Sequence, residues 1–99
     1  MSVTTVTYWK GGKPEQIVPA AKQAKAILIK HGAQHVELNK VYAGPDTGQW
    51  AVVVNFGNWN AYGKSQQALL EDAEYQTLLA RVGEISEMTS RRIVVSVDL

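Results

Sequence analysis

The run "QWAVVVNFG" at residues 49–57 constrains the fold more than any other part of the chain. Its valines and aromatic rings predict a strand. Trp50, Val52, Val54 and Phe56 alternate onto one face, while Ala51 and Val53 leave the opposite face apolar as well. A strand that is apolar on both sides has to be buried on both. One side can lie under the chain's own helices. In 99 residues there is no further element to cover the other side. A second copy of the chain would supply that cover, and a chain this short gains buried surface by self-association. The expectation is a homodimer.

The remaining segments fit around that strand. "VTTVTYW" (3–9) reads as a first strand, ended by "KGGKP". Pro14 and Glu15 open a helix, where proline has no N–H to lose and an acid suits the positive end of the dipole. Ile17, Ala20, Ala21, Ala24, Ile27 and Leu28 give it one apolar stripe, with Lys22, Lys25 and Lys30 largely off it. Pro19 is discordant: it is tolerable within the first turn or so and otherwise moves the helix start to about residue 18. Gly32 is the expected C-terminal stop. "HVELNKVYA" (35–43) predicts a second strand and "GPDTG" (44–48) a turn. Asn58 is placed to cap a helical region over about 59–84. Its apolar stripe slips from a track through Trp59, Tyr62 and Leu69 to one through Tyr75, Leu78, Leu79 and Val82. A break near 71–73 follows, with Asp72 capping the second piece. "SRRIVVSVDL" (90–99) predicts the last strand, with Ile93, Val95 and Val97 on one face. The order is β-α-β-β-α-β: an α+β, ferredoxin-like domain with a four-stranded antiparallel sheet over residues 1–99.

Composition narrows the partners. Net charge is +1, with the basic residues scattered, so the chain lacks the concentrated basic footprint that nucleic acid or an anionic membrane demands. There is no cysteine, which excludes disulfides, thiolate catalysis and Cys-based zinc sites. Neither a signal peptide nor a membrane span is expected, and a cytoplasmic location is the default.

Three segments sharpen this outline: "YWKGGKPEQI", "HGAQHVELNKVYAGPDTGQWAVVVNF" and "NWNAYGKSQQALLEDAEYQTLLARV". With them the chain resembles the dimeric α+β-barrel superfamily, which groups antibiotic-biosynthesis-monooxygenase-like, NIPSNAP-like and many uncharacterised bacterial proteins. The likeness runs from residue 3 to 98 and is most specific where a strand ends in an aromatic-rich helix start and an acid-x-Glu-aromatic segment restarts the helix. Ala73 stands where many relatives carry proline. The resemblance implies two sheets paired into one barrel with helices outside, and a pocket between sheet and helices in each subunit. Some members oxidise an aromatic substrate there without metal or flavin, and some degrade haem.

The chemistry-bearing residues do not assemble into a standard motif. His31 and His35 are four apart, but Gly32 ends the helix between them, and Glu37 is the only near third ligand, so no metal is expected. No serine–histidine–acid arrangement is present, and "KGGKP" lacks the spacing of a phosphate loop. An RNA-binding reading of "GQWAVVVNF" fails because valines stand where stacking aromatics would be needed. Haem degradation would imply an asparagine on the first strand and a tryptophan and a histidine along the second helical region. Strand one has no asparagine, and residues 64–85 have neither tryptophan nor histidine. No cofactor is expected. The resemblance leaves a small apolar or aromatic ligand, and as the alternative cofactor-independent oxygenation of an aromatic or quinone-like substrate. Tyr8, Trp9, Asn39, Trp50, Asn55, Trp59 and Tyr62 are the candidate lining. Packing of core edges and interfaces competes for each of these aromatic side chains.

Overall fold

The computed structural model describes residues 1–99. Its elements run β1 (Val3–Lys10), α1 (Pro14–Lys30), β2 (His35–Lys40), β3 (Trp50–Phe56), α2 (Trp59–Glu71), α3 (Ala73–Ile85) and β4 (Glu87–Val95). The four strands form one sheet in the order β2-β3-β1-β4, antiparallel throughout. This is the expected ferredoxin-like arrangement, with the second helical region divided in two.

Local chemistry sets the boundaries. The Gln16 side chain accepts from the Lys13 amide at the start of α1. Pro19 is the sixth residue of α1, past the first turn, yet the helix still starts at Pro14; the proline forgoes the hydrogen bond to the Glu15 carbonyl and crowds it. Gly32, at φ +104°, ends the helix in the left-handed region. Asn58 Oδ1 accepts from the Ala61 amide at 2.8 Å and starts α2. Asp72 closes α2 and opens α3: its backbone is extended and its Oδ1 accepts from the Tyr75 amide at 3.0 Å. The break therefore survives with alanine at position 73, because the capping carboxylate, rather than a proline, interrupts the helix.

Two strands differ from the expected ranges. β2 stops at Lys40 rather than 43, although Val41 and Gln49 continue the hairpin through a 2.9 Å amide–carbonyl bond. β4 starts at Glu87 rather than 90 and ends at Val95 rather than 99. Its start is fixed by Ser86, whose hydroxyl lies 3.1 Å from the Lys10 carbonyl and 2.9 Å from that of Gly11. An irregularity between Tyr8 and Trp9 leaves Thr89 unpaired and places Met88 opposite Trp9.

Strand alternation then sorts the sheet into two faces. In register, Val36–Val54–Thr5–Ile93, Leu38–Val52–Thr7–Arg91 and Lys40–Trp50–Trp9–Met88 form rows across the face on which the helices lie, although their β4 ends stay exposed. Val3, Val36, Val54 and Phe56 of this face pack with Ile27, Leu28, Leu69 and Leu78 of the helices into one core. Phe56 and Leu78 are each only 1% exposed, and full burial of such a side chain contributes about 1.5–3 kcal/mol. The opposite face carries the rows His35–Asn55–Thr4–Val94, Glu37–Val53–Val6–Arg92 and Asn39–Ala51–Tyr8–Ser90. No helix lies over it: the molecule is a slab 17 Å thick, one sheet layer and one helix layer. Val94 on this face is half exposed.

Candidate functional site

A cavity of about 310 Å³ lies between the sheet and the helices. Its floor is the row of Leu38, Val52 and Thr7 with the neighbouring Val54 and Thr5. Its roof is shared by α2 and α3 and by the inner stripe of α1, where Ala20, Ala21 and Ala24 leave the space that bulkier side chains would fill. The volume is at the small end of the range for ligand sites, about 300–1,000 Å³, and about twice the ~150 Å³ that admits one benzene ring.

Trp9 and Trp50, paired across β1 and β3, line one end. The Trp50 indole donates to the Gly12 carbonyl at 3.3 Å, and the Lys40 ammonium sits 4.1 Å from its ring centre. Gly12 has to be glycine there: its φ is +95°, and a β-carbon would fall 2.6 Å from Ile17 Cδ1. The polar part of the lining comes from Thr5, Thr7, Gln66, Tyr75, Gln76 and Arg91. Gln76 donates through Nε2 at 2.9 Å to the Leu69 carbonyl, which also accepts from the Asp72 amide at 3.2 Å where α2 ends. Burial pushes the Tyr75 phenol up, only partly offset by the Arg91 guanidinium, so it is a protonated donor at neutral pH.

The seven side chains singled out from the sequence fall into three places. Trp9 and Trp50 line the cavity. Tyr8, Asn39 and Asn55 lie on the open sheet face: the Arg92 guanidinium stands 5.5 Å from the Tyr8 ring centre, Asn55 donates to Thr4 Oγ1 at 2.9 Å, and Asn39 donates to Glu37 Oε1 at 3.3 Å. Trp59 and Tyr62 sit at the start of α2. Tyr62 packs edge-on against Phe56 at 5.4 Å between ring centres, and Trp59 packs on Tyr62 while remaining half exposed. They dock the helix on the sheet. Arg91, Tyr75, Gln66 and Gln76 were absent from the sequence-derived set. One signal pointed to Arg91, which shares the alternation of Ile93 and Val95.

A second polar centre lies at the helix break. His31 Nε2 is 2.7 Å and Lys30 Nζ 3.4 Å from Asp72 Oδ2. The His31 bond, then the Tyr75 amide, and also Lys30, hold the Asp72 carboxyl well below the usual carboxylate range. His35 engages a different acid, Glu37, at 3.2 Å, and hydrogen bonds from His35 and Asn39 lower that carboxyl too. No helix of the molecule is long and apolar enough to cross a membrane.

No family model and no curated protein matches the chain. Solved structures match it over nearly its whole length. SnoaB, a cofactor-independent oxygenase from Streptomyces nogalater, superposes with a TM-score of 0.75 at 12% identity, covering 99% of this chain and 95% of SnoaB. A NIPSNAP family protein from Agrobacterium tumefaciens gives 0.67 at 12% identity, with coverage of 99% and 95%. A conserved protein of unknown function from Bacteroides thetaiotaomicron gives 0.69 at 14%, with coverage of 94% and 95%. At these identities the likeness shows a shared fold.

Proposed function

We propose that the chain, whose fold is that of SnoaB and the NIPSNAP family protein, works as a homodimer that holds one small apolar or aromatic molecule in each protomer. The observation that carries the binding reading is the cavity itself: an apolar chamber between sheet and helices, with a few polar groups gathered on its lining. The uncovered face of the sheet supports the dimer. Val6 and Val53, both partly exposed, lie side by side at its middle next to the buried Ala51, and Val94 is half exposed on the edge strand β4. Native mass spectrometry of untagged, gently purified protein tests both parts. A dimer carrying additional mass is the expected result. A bare monomer would refute the assembly, and failure to take up any aromatic probe would refute the binding site.

The alternative, a cofactor-independent monooxygenase acting on an aromatic or quinone-like substrate, is favoured by the fold shared with SnoaB along almost the entire chain. In that reading Tyr75, held protonated, donates a hydrogen bond to developing negative charge on the substrate. Oxygen consumption with a panel of polycyclic phenols separates the two readings. Turnover that is lost in Tyr75→Phe and kept in Tyr62→Phe, whose ring only packs on Phe56, would establish the oxygenase. Binding without oxygen uptake across the panel would establish the binding protein.

A further inference from the structure

The cavity lining contains one charged side chain, Arg91, and no carboxylate. The ion pairs of the molecule join Lys30 and His31 to Asp72 and His35 to Glu37, so Arg91 has no acid partner. Strand register places it on the helix side of the sheet, opposite the neutral Thr7, where it is exposed on the edge strand β4 at the mouth of the cavity. Arg92, one residue on, turns to the other face and stands over Tyr8. The groups nearest in kind are donors as well: the Tyr75 phenol, and the Gln66 amide on the same lining. Gln76 has already committed its Nε2 to the Leu69 carbonyl.

Resting on the binding reading above, we propose that the molecule held in the cavity is a small aromatic carboxylate, with its rings on the Trp9–Trp50 end and its carboxylate on Arg91. A guanidinium matches a carboxylate with two parallel N–H···O bonds, and a neutral or cationic ligand would leave that fork unused. The Tyr75 hydroxyl is a further donor for the same group. Size fits the chemistry. Trp9 lies two residues along β1 from Thr7, and Arg91 one strand over from it, so the two ends are separated by roughly 7–8 Å on ordinary sheet spacings. A ligand of one or two fused rings spans that distance and suits the cavity volume.

The test uses an isosteric pair of probes, 2-naphthoate and 2-naphthamide, titrated against the wild-type protein by calorimetry and by quenching of tryptophan fluorescence. The expected result is that naphthoate binds about two- to fivefold more tightly than naphthamide, the scale of an ion pair at an exposed guanidinium. Arg91→Gln brings the naphthoate-to-naphthamide affinity ratio to about one, while Arg92→Gln, on the opposite face, keeps the wild-type ratio. Equal binding of the two probes to the wild type, or a preference that persists in Arg91→Gln, overturns the carboxylate assignment and leaves the cavity reading standing. Failure of both probes to bind overturns the cavity reading and this proposal together.

Discussion

Replacing Val53 by aspartate asks whether the bare face of the sheet is an interface. Val53 lies at the middle of that face, between Glu37 on β2 and Val6 on β1, and Val6 in turn pairs with Arg92. Four strands about 4.8 Å apart, each about seven residues long at ~3.4 Å per residue, give a flat footprint of roughly 450 Å² before side-chain relief is counted. That is a little over half of one partner's share of an ordinary interface, about 800 Å². In a two-fold dimer each substitution acts twice. Val53 is already partly buried in the protomer, so dimerisation can cover at most about a third of it, ~0.5–1 kcal/mol, and two copies lose ~1–2 kcal/mol. At about 1.4 kcal/mol per decade, that alone raises the dissociation constant roughly tenfold, and burying the new carboxylates adds to it. Sedimentation velocity over a concentration series measures this directly. Far-UV circular dichroism is expected to stay unchanged, because the position faces away from the helices. A Val53→Asp protein that dimerises as tightly as the wild type would refute the assignment of this face, and a wild type that stays monomeric at high concentration would refute the dimer itself.

Three further outcomes are expected. Asp72→Asn keeps a capping oxygen but removes the charge. The folded-state pKa of Asp72 lies below its ordinary value of 3.8, so the carboxylate's contribution is complete above that value and is lost as pH falls through the lowered one. Urea midpoints measured from about pH 5 downward should therefore fall less steeply in the variant than in the wild type. A parallel fall in both proteins would remove Asp72 from the acid response. Asn58→Ala loses the cap of α2 and costs about 1 kcal/mol, or about 4–8 °C in the melting temperature of a domain this size; an unchanged melting curve would show that the cap contributes nothing. Gly12→Ala forces a side chain into a left-handed conformation at about 1–2 kcal/mol and presses on Ile17. It should lower both the melting temperature and the affinity for aromatic probes, since Gly12 also receives the Trp50 indole. A variant as stable as the wild type would count against the crowding.

The capping residues were legible because each acts locally. Asn58 and Asp72 stand before apolar helical runs, and their side-chain oxygens meet the amides that such positions leave open. The two-faced β3 was legible from alternation alone. What alternation also contains, and what a list chosen by residue type overlooks, is which side chains can share a chamber. Tyr8 and Trp9 are consecutive in a strand and must face opposite ways, and Asn55 has the opposite parity to Trp50. The polar lining of the cavity was harder to read. Arg91 is charged and so does not attract notice on an apolar face, and Tyr75 and Gln76 reach the cavity only because the chain restarts its helix at Asp72. His31 and Asp72 are 41 residues apart in the chain, and their contact depends on how α1 docks beside the break. No local pattern encodes that.

The two faces of β1 and β3 have a consequence for how such a protein can change. Thr5, Thr7, Trp9, Trp50 and Val52 line the chamber, while Thr4, Val6, Tyr8, Ala51 and Val53 form the bare surface. The same two strands thus hold two interleaved alphabets. Substitution at one set of positions can alter what is held inside while the outer surface stays as it was, and the reverse is equally open. A lineage carrying this sheet can diversify its small-molecule preference and its quaternary contacts along separate mutational routes. For an engineer, randomising alternate residues of β1 is a library in ligand space alone.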